Sequence, residues 1–209
     1  RHESGKGSKS IHERGYWVGE NVIDEHRFDL QLAGALGDFF NTEKAESVVD
    51  FGCGLGEYTK FLLENKINCI GYDGNPDSPI ISNGLVKVLD LSQPFDLGKQ
   101  FDWILCLEVG EHLPKKYEKA LLDNLDKHAK KGIVLSWAVK GQTGYGHFNE
   151  QDNDYVKSLM STYGYENDLD AEKYLRKCSY LHWFKNTIMV FRKKPPKSLK
   201  SKKGKQRSY

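Results

Sequence analysis

Nowhere in the 209 residues does an apolar run approach the roughly 18 needed to cross a bilayer, which excludes a membrane-spanning helix. The N-terminal stretch is polar and charged and has no apolar core of a secretory signal. Cysteine is scarce. Cys53, Cys69, Cys106 and Cys178 stand far apart, with no C-x-x-C pair and no metal-type spacing. They read as reduced packing residues of a reducing compartment, so the cytoplasm is the expected location. Internal repeats are absent as well.

What is present suits one domain with enough length for a sizeable core. The net charge of +2 conceals an asymmetry: from Arg192 to the end there are nine Lys/Arg and no acid, which leaves 22 basic against 29 acidic residues elsewhere. That end contains Pro195, Pro196 and Gly204 and has no apolar periodicity. The expected organisation is a flexible segment over 1–14, a domain over 15–192 and a basic disordered tail over 193–209. The tail is either a contact for nucleic acid or a solvated end.

Gly15 to Gly19 is expected to open the folded part, and apolar residues at three- and four-residue intervals predict a helix from about Asp24 to Phe40. Short apolar strands then alternate with helices. Strands are expected over 47–51, 68–72, 85–89, 101–106 and 133–136. Helices are expected over 57–64, 115–130 (stopping at a C-capping Gly132) and 150–161. Ser179–Phe184 and Thr187–Arg192 read as a closing antiparallel hairpin. The class is α/β: a mostly parallel sheet, helices on both faces and an antiparallel end, as in a Rossmann-like domain.

The most informative stretch is Val48-Val49-Asp50-Phe51-Gly52-Cys53-Gly54-Leu55-Gly56-Glu57-Tyr58, where a strand runs through glycines into a helix. Glycine allows the tight turn and lets backbone approach a ligand closely. Dinucleotide binders use G-x-G-x-x-G, but here the spacing is G-x-G-x-G. Asp73 ends the next strand and Asp90 follows the third. Three acids at the C-terminal ends of successive strands, beside a Gly loop, mark the ligand edge of an open α/β sheet.

Asp50-x-Gly52-x-Gly54-x-Gly56, Asp73, Asp90 and Phe101–Glu108 resemble the successive motifs of class I S-adenosylmethionine-dependent methyltransferases. The resemblance implies the fold of that class and cofactor contacts at Asp50, Gly52, Cys53, Gly54, Tyr58, Asp73, Gly74, Asn75, Asp90, Leu91 and Leu107. Asp50 would help neutralise the cofactor's ammonium, Asp73 would take the ribose hydroxyls and Asp90 the adenine amino group. The usual helix between the second and third strands is expected to be reduced to a loop.

Methyl transfer from a sulfonium is an in-line displacement, so a nucleophile must sit about 3 Å from the methyl carbon and lose its proton. Glu108-Val109-Gly110-Glu111-His112 follows the fourth strand. On a helical turn, positions 108, 111 and 112 share a face. Two carboxylates and an imidazole suit Mn²⁺ or Mg²⁺, and a loop offers His147 as a fourth ligand. The set resembles the metal site of small-RNA 2′-O-methyltransferases, which implies Glu108, Glu111, His112 and His147 as ligands. Two other readings stay open: a metal-free site with His112 or His147 as general base, and a structural role for the set. His26 and His182 read as surface or core histidines.

Tyr16, Trp17 and Trp137–Gly146 are candidates for the acceptor pocket, with Trp17 alternatively a lid on the cofactor. Gly15-Tyr16-Trp17, Gly146–Glu150 and Trp183–Thr187 look similar to small methyltransferase domains of large algal viruses that modify capsid glycans, rhamnose included. That likeness implies a carbohydrate acceptor. The alternative is 2′-O-methylation of an RNA end, which the basic tail would suit.

Overall fold

The computed structural model describes residues 10–19 and 26–195. The expected flexible beginning up to residue 9 and the tail beyond 195 lie outside the described residues. Residues 10–14 are nonetheless folded. Ser10–Ile11 (β1) pairs antiparallel with Trp17–Val18 (β2), so the domain opens with a small hairpin rather than at Gly15.

The first long helix, Leu30–Thr42 (α1), starts later than its periodicity suggests, because Asp29 caps it by accepting the Leu32 N–H at 2.9 Å. Phe28 precedes the helix and packs instead on the rings of Tyr58 and Phe61. Then come Val48–Phe51 (β3), Glu57–Glu64 (α2), Cys69–Asp73 (β4), Val86–Val88 (β5) and Phe101–Cys106 (β6). The segment expected to be a loop holds one helical turn, Ser78–Ile81 (α3), with Pro79 in its first turn.

Glu118–His128 (α4) leads directly into Ala129–Leu135 (β7). Gly132 is therefore not a helix cap but an interior strand residue opposite Trp103, where a Cβ would strike the indole and the Phe191 carbonyl. The remaining elements are Asn153–Thr162 (α5), Tyr165–Asn167 (β8), Leu169–Cys178 (α6), Phe184–Thr187 (α7) and Met189–Lys193 (β9).

The seven-stranded sheet has the order β5-β4-β3-β6-β7-β9-β8, with β5 to β7 parallel and β9 antiparallel to both its neighbours. The expected hairpin over 179–192 does not form. The N–H groups of Tyr180 and Leu181 donate to the buried Asp29 carboxylate at 2.7 and 2.8 Å, and Leu181 and Phe184 pack into the core with α1. Only the second half of that segment becomes a strand, which includes Lys193 of the expected tail.

Successive strand residues serve opposite faces, as a period of two requires. Val48, Trp103, Leu105 and Val134 meet α1, α2 and α6. Val49, Phe51, Ile104, Ile133 and Leu135 meet α4 and α5. Both faces are thereby covered, and the carboxyl ends of β3, β4 and β6 converge on one edge.

Candidate active site

One cavity of about 350 Å³ occupies that edge, and its lining includes every residue proposed from the sequence for cofactor, catalysis or metal. Its floor is the turn between β3 and α2, where Gly52, Gly54 and Gly56 all have positive φ. At Gly54 the requirement is also spatial: a Cβ would come within 2.5 Å of His26 Nδ1.

The acids of the strand ends are not equivalent. Asp73, which lines the cavity, is fixed by the Gly54 and Asn75 N–H groups, each at 2.9 Å, one on each carboxylate oxygen. Asn75, itself buried, donates to the Gly19 carbonyl. Asp50 accepts from the Thr59 hydroxyl at 2.9 Å. Burial pushes the Asp50 carboxyl up to about 7, against the effect of the Thr59 bond, and repulsion from Asp73 adds to it. Cys53 lines the loop with its thiol raised by burial, so it is not a reactive thiolate. Tyr58 accepts the Asp29 N–H and ties the Gly loop to the start of α1. Leu91 and Leu107 supply apolar wall.

Asp90 is already engaged. Its Oδ1 accepts from the Ser92 N–H and hydroxyl, and its Oδ2 pairs with Arg14 at 3.1 Å. Arg14 belongs to the small hairpin, which crosses the cavity. Tyr16 lies over Gly74, and Gly15 packs on the His112 carbonyl. Trp17 stands edge-on to His112 and Tyr145 and tilted to His26. Trp17 thus stands at the His112 end of the cavity, whereas Trp137, an expected acceptor wall, is fully buried and donates its indole N–H to the Asn149 carbonyl at 2.7 Å.

The segment after β6 is not the helical turn expected for 108–112. Glu108 is left-handed at φ 53°, a costly conformation for a residue with a side chain. A 3₁₀ turn over Gly110–His112 follows, seated under the Trp137 ring. Glu108 therefore stays out of the three-donor cluster, although its carboxyl remains beside that of Glu111. Its carboxylate accepts from Gln142 and Ser136, and its N–H donates to the Ser136 hydroxyl.

The other three do converge. One donor atom each from Glu111, His112 and His147 lie within 4.8 Å of one another. His112 Nδ1 is 3.1 Å from the Gly146 carbonyl, and His147 Nδ1 is 2.8 Å from a Glu150 oxygen. A carbonyl only accepts, so Nδ1 of His112 carries the proton and its Nε2 keeps a free lone pair. The Glu150 carboxylate selects the same tautomer for His147. Burial pushes His112 down to about 4, helped by repulsion from His147, which keeps the imidazole unprotonated. Burial likewise holds the Glu111 carboxyl well above the usual range, with Glu108 adding repulsion. Glu111 is completely buried, and neither of its oxygens makes a well-formed hydrogen bond, though the Glu108 carboxyl and the Ala138 amide lie close to it. Such an orphaned carboxylate beside two unclaimed imidazole nitrogens fits a divalent cation.

Sequence reasoning passed over several residues that the fold brings here. Glu150 sits three residues after His147, a spacing that could have flagged it. Arg14 carries no local signal; His26 reads from its neighbours as a surface or core histidine; and Gln142 falls within the expected acceptor segment, where nothing local announces its bond to Glu108.

Residues 23–169 match the family model described as "Methyltransferase domain". Tocopherol O-methyltransferase of Arabidopsis thaliana is 35% identical over 124 residues, which cover 52% of this chain and 34% of that protein. A probable tocopherol O-methyltransferase of Oryza sativa subsp. japonica is 33% identical over 112 residues, 46% of this chain and 30% of that protein. The chain spans about a third of the length of these relatives. Among solved structures, magnesium protoporphyrin IX methyltransferase from Synechocystis PCC 6803 with bound SAH has a TM-score of 0.60 at 16% identity, covering 78% and 83% of the two chains. The methyltransferase domain of bacterial CtHen1-C has 0.56 at 18%, covering 79% and 98%.

Proposed function

The chain belongs to the methyltransferase-domain family and has the fold of its class I members, and from that premise we propose that it is an S-adenosylmethionine-dependent O-methyltransferase acting on a sugar diol at the end of a glycan, assisted by a divalent cation. The observation that carries this reading is the orphaned Glu111 carboxylate facing His112 and His147 at one end of the cavity. An unsatisfied buried polar group costs about 1–3 kcal/mol, and a bound cation offsets that cost. One oxygen and two nitrogens suit Mn²⁺ better than Mg²⁺, which favours oxygen ligands. When bound, such an ion supplies Lewis acidity toward an acceptor hydroxyl.

The protein's own groups do the rest. Glu111, His112 and His147 would hold the ion, with Gly146 and Glu150 fixing the two rings. Asp73 would hold the cofactor ribose and Asp50 its ammonium. Trp17, Tyr145 and Trp183 line the same cavity and offer flat apolar faces to a sugar ring. A second reading, an RNA end as acceptor, is favoured by Glu108-x-x-Glu111-His112 together with the basic run from Arg192.

The deciding assay follows label from the methyl donor to a terminal-deoxyhexose oligosaccharide and to a short RNA, with EDTA and then with Mn²⁺. Transfer to the sugar that EDTA stops and Mn²⁺ restores is the expected result. Transfer to RNA alone would replace the acceptor, and EDTA-resistant transfer would remove the ion.

Asp50 adds a pH signature. Burial holds its carboxyl up at about 7. A ligand ammonium favours the carboxylate, so binding below pH 7 must release a proton. Donor affinity should therefore fall as pH drops below 7, approaching tenfold per unit. Calorimetry across pH 5.5–8 checks this, and in Asp50→Asn the slope should flatten.

A further inference from the structure

The proposed donor is a zwitterion, and Asp50 answers only its ammonium. Its carboxylate needs a hydrogen-bond donor or a cation near the Gly loop. Five basic side chains line the cavity: Arg14, His26, Arg27, His112 and His147. Arg14 is already paired with Asp90. His112 and His147 are turned toward Glu111.

His26 lies directly on the loop. A Cβ at Gly54 would come within 2.5 Å of its Nδ1, so the ring rests on the Gly54 backbone. The Trp17 ring flanks it at 5.7 Å. The residue is half-buried, and neither ring nitrogen has a hydrogen-bond partner among the described residues, so the ring can still take a ligand atom.

We infer that His26 receives the carboxylate of the methyl donor's amino-acid end, making it a binding residue that sets how deeply the sulfonium enters the reaction end. Burial favours the neutral imidazole, and one N–H suffices for the bond. The inference rests on the reading that the cavity binds S-adenosylmethionine. The competing cation is Arg27, next in the chain and exposed.

The test compares two ligands by calorimetry: S-adenosylmethionine, and its decarboxylated form, which keeps the ammonium and sulfonium but lacks the carboxylate. His26→Ala should weaken the first by about tenfold to a hundredfold, the effect of one hydrogen bond to a charged group, and leave the second within about twofold. Unaltered binding of the decarboxylated ligand also shows that the variant's pocket is folded. His26→Gln, which keeps an N–H, should recover part of the loss.

Equal loss for both ligands would overturn the assignment, as would carboxylate-selective loss in Arg27→Ala but not in His26→Ala. If the unaltered protein binds neither ligand, the cofactor reading itself fails and takes this inference with it.

Discussion

Replacing Glu111 with Met is expected to make the empty protein more stable and, in the same variant, to abolish cation-dependent methyl transfer. The carboxyl group is completely buried, both oxygens lack a well-formed hydrogen bond and its ionisation is opposed by burial and by Glu108. A thioether of similar volume fills the site without stranded polar atoms. The expected gain is about 1–3 kcal/mol. For a domain of this size that is a rise of roughly 2–4 °C in Tm for each kcal/mol. Thermal melts in EDTA measure it. Added Mn²⁺ should stabilise the unaltered protein by about 2.7 kcal/mol at a hundredfold excess over Kd, raising its Tm, and should leave the Tm of the variant unchanged. Turnover should fall by about a hundredfold to a thousandfold, as expected when a charge-stabilising group is removed. A variant less stable than the parent in EDTA would mean that Glu111 supports the empty fold, and the cation reading would lose its main observation.

The second large effect is expected at Asp73. The Gly54 and Asn75 amides orient its carboxylate and leave lone pairs for a ribose diol. Two hydrogen bonds to a charged acceptor are each worth about 1.5–3 kcal/mol, so Asp73→Ala should weaken cofactor binding by about a hundredfold to ten-thousandfold. Asp73→Asn keeps the volume and one accepting oxygen and should fall between. Because the carboxylate also ties the Gly loop to the end of β4, the alanine variant should lose some thermal stability even without ligand. Equilibrium binding that is unchanged in both variants would sink the ribose assignment.

Much of this architecture could be read in the chain. Continuous apolar runs such as Trp103–Leu107 betray strands buried on both faces, and the positive-φ turn of Gly52, Gly54 and Gly56 is legible because few other residues tolerate it. The alternation of strand and helix then directs Asp50, Asp73 and Glu111 to one edge. What escaped reading depends on partners distant in sequence. Gly132 looks like a helix stop until Trp103 is seen across the sheet. Tyr180 and Leu181 look like strand until Asp29 takes their amides.

The missed helix α6 teaches a different lesson. Its apolar stripe is thin, with only Leu175 deeply buried among its apolar residues. Its ends, however, are written in charge: Asp168 caps it, Asp170 and Glu172 open it, and Arg176 and Lys177 close it. Caps would have found it where periodicity did not. The pairing of Arg14 with Asp90 left no such trace, since neither residue's neighbours anticipate the other.

The place of β9 bears on how the protein is made. This strand comes from the end of the fold yet lies inside the sheet, hydrogen-bonded to β7 on one side and β8 on the other. A growing chain has its Gly loop, its strand-end acids and His147 in hand long before residues 189–193 leave the ribosome. Until they do, β7 presents a bare edge and β8 has no strand to pair with, and unpaired edges are templates for association with other chains. Sheet completion therefore waits on a late segment of this fold. A nascent chain stalled before Met189 would carry most of the chemistry of the site on a scaffold that cannot close.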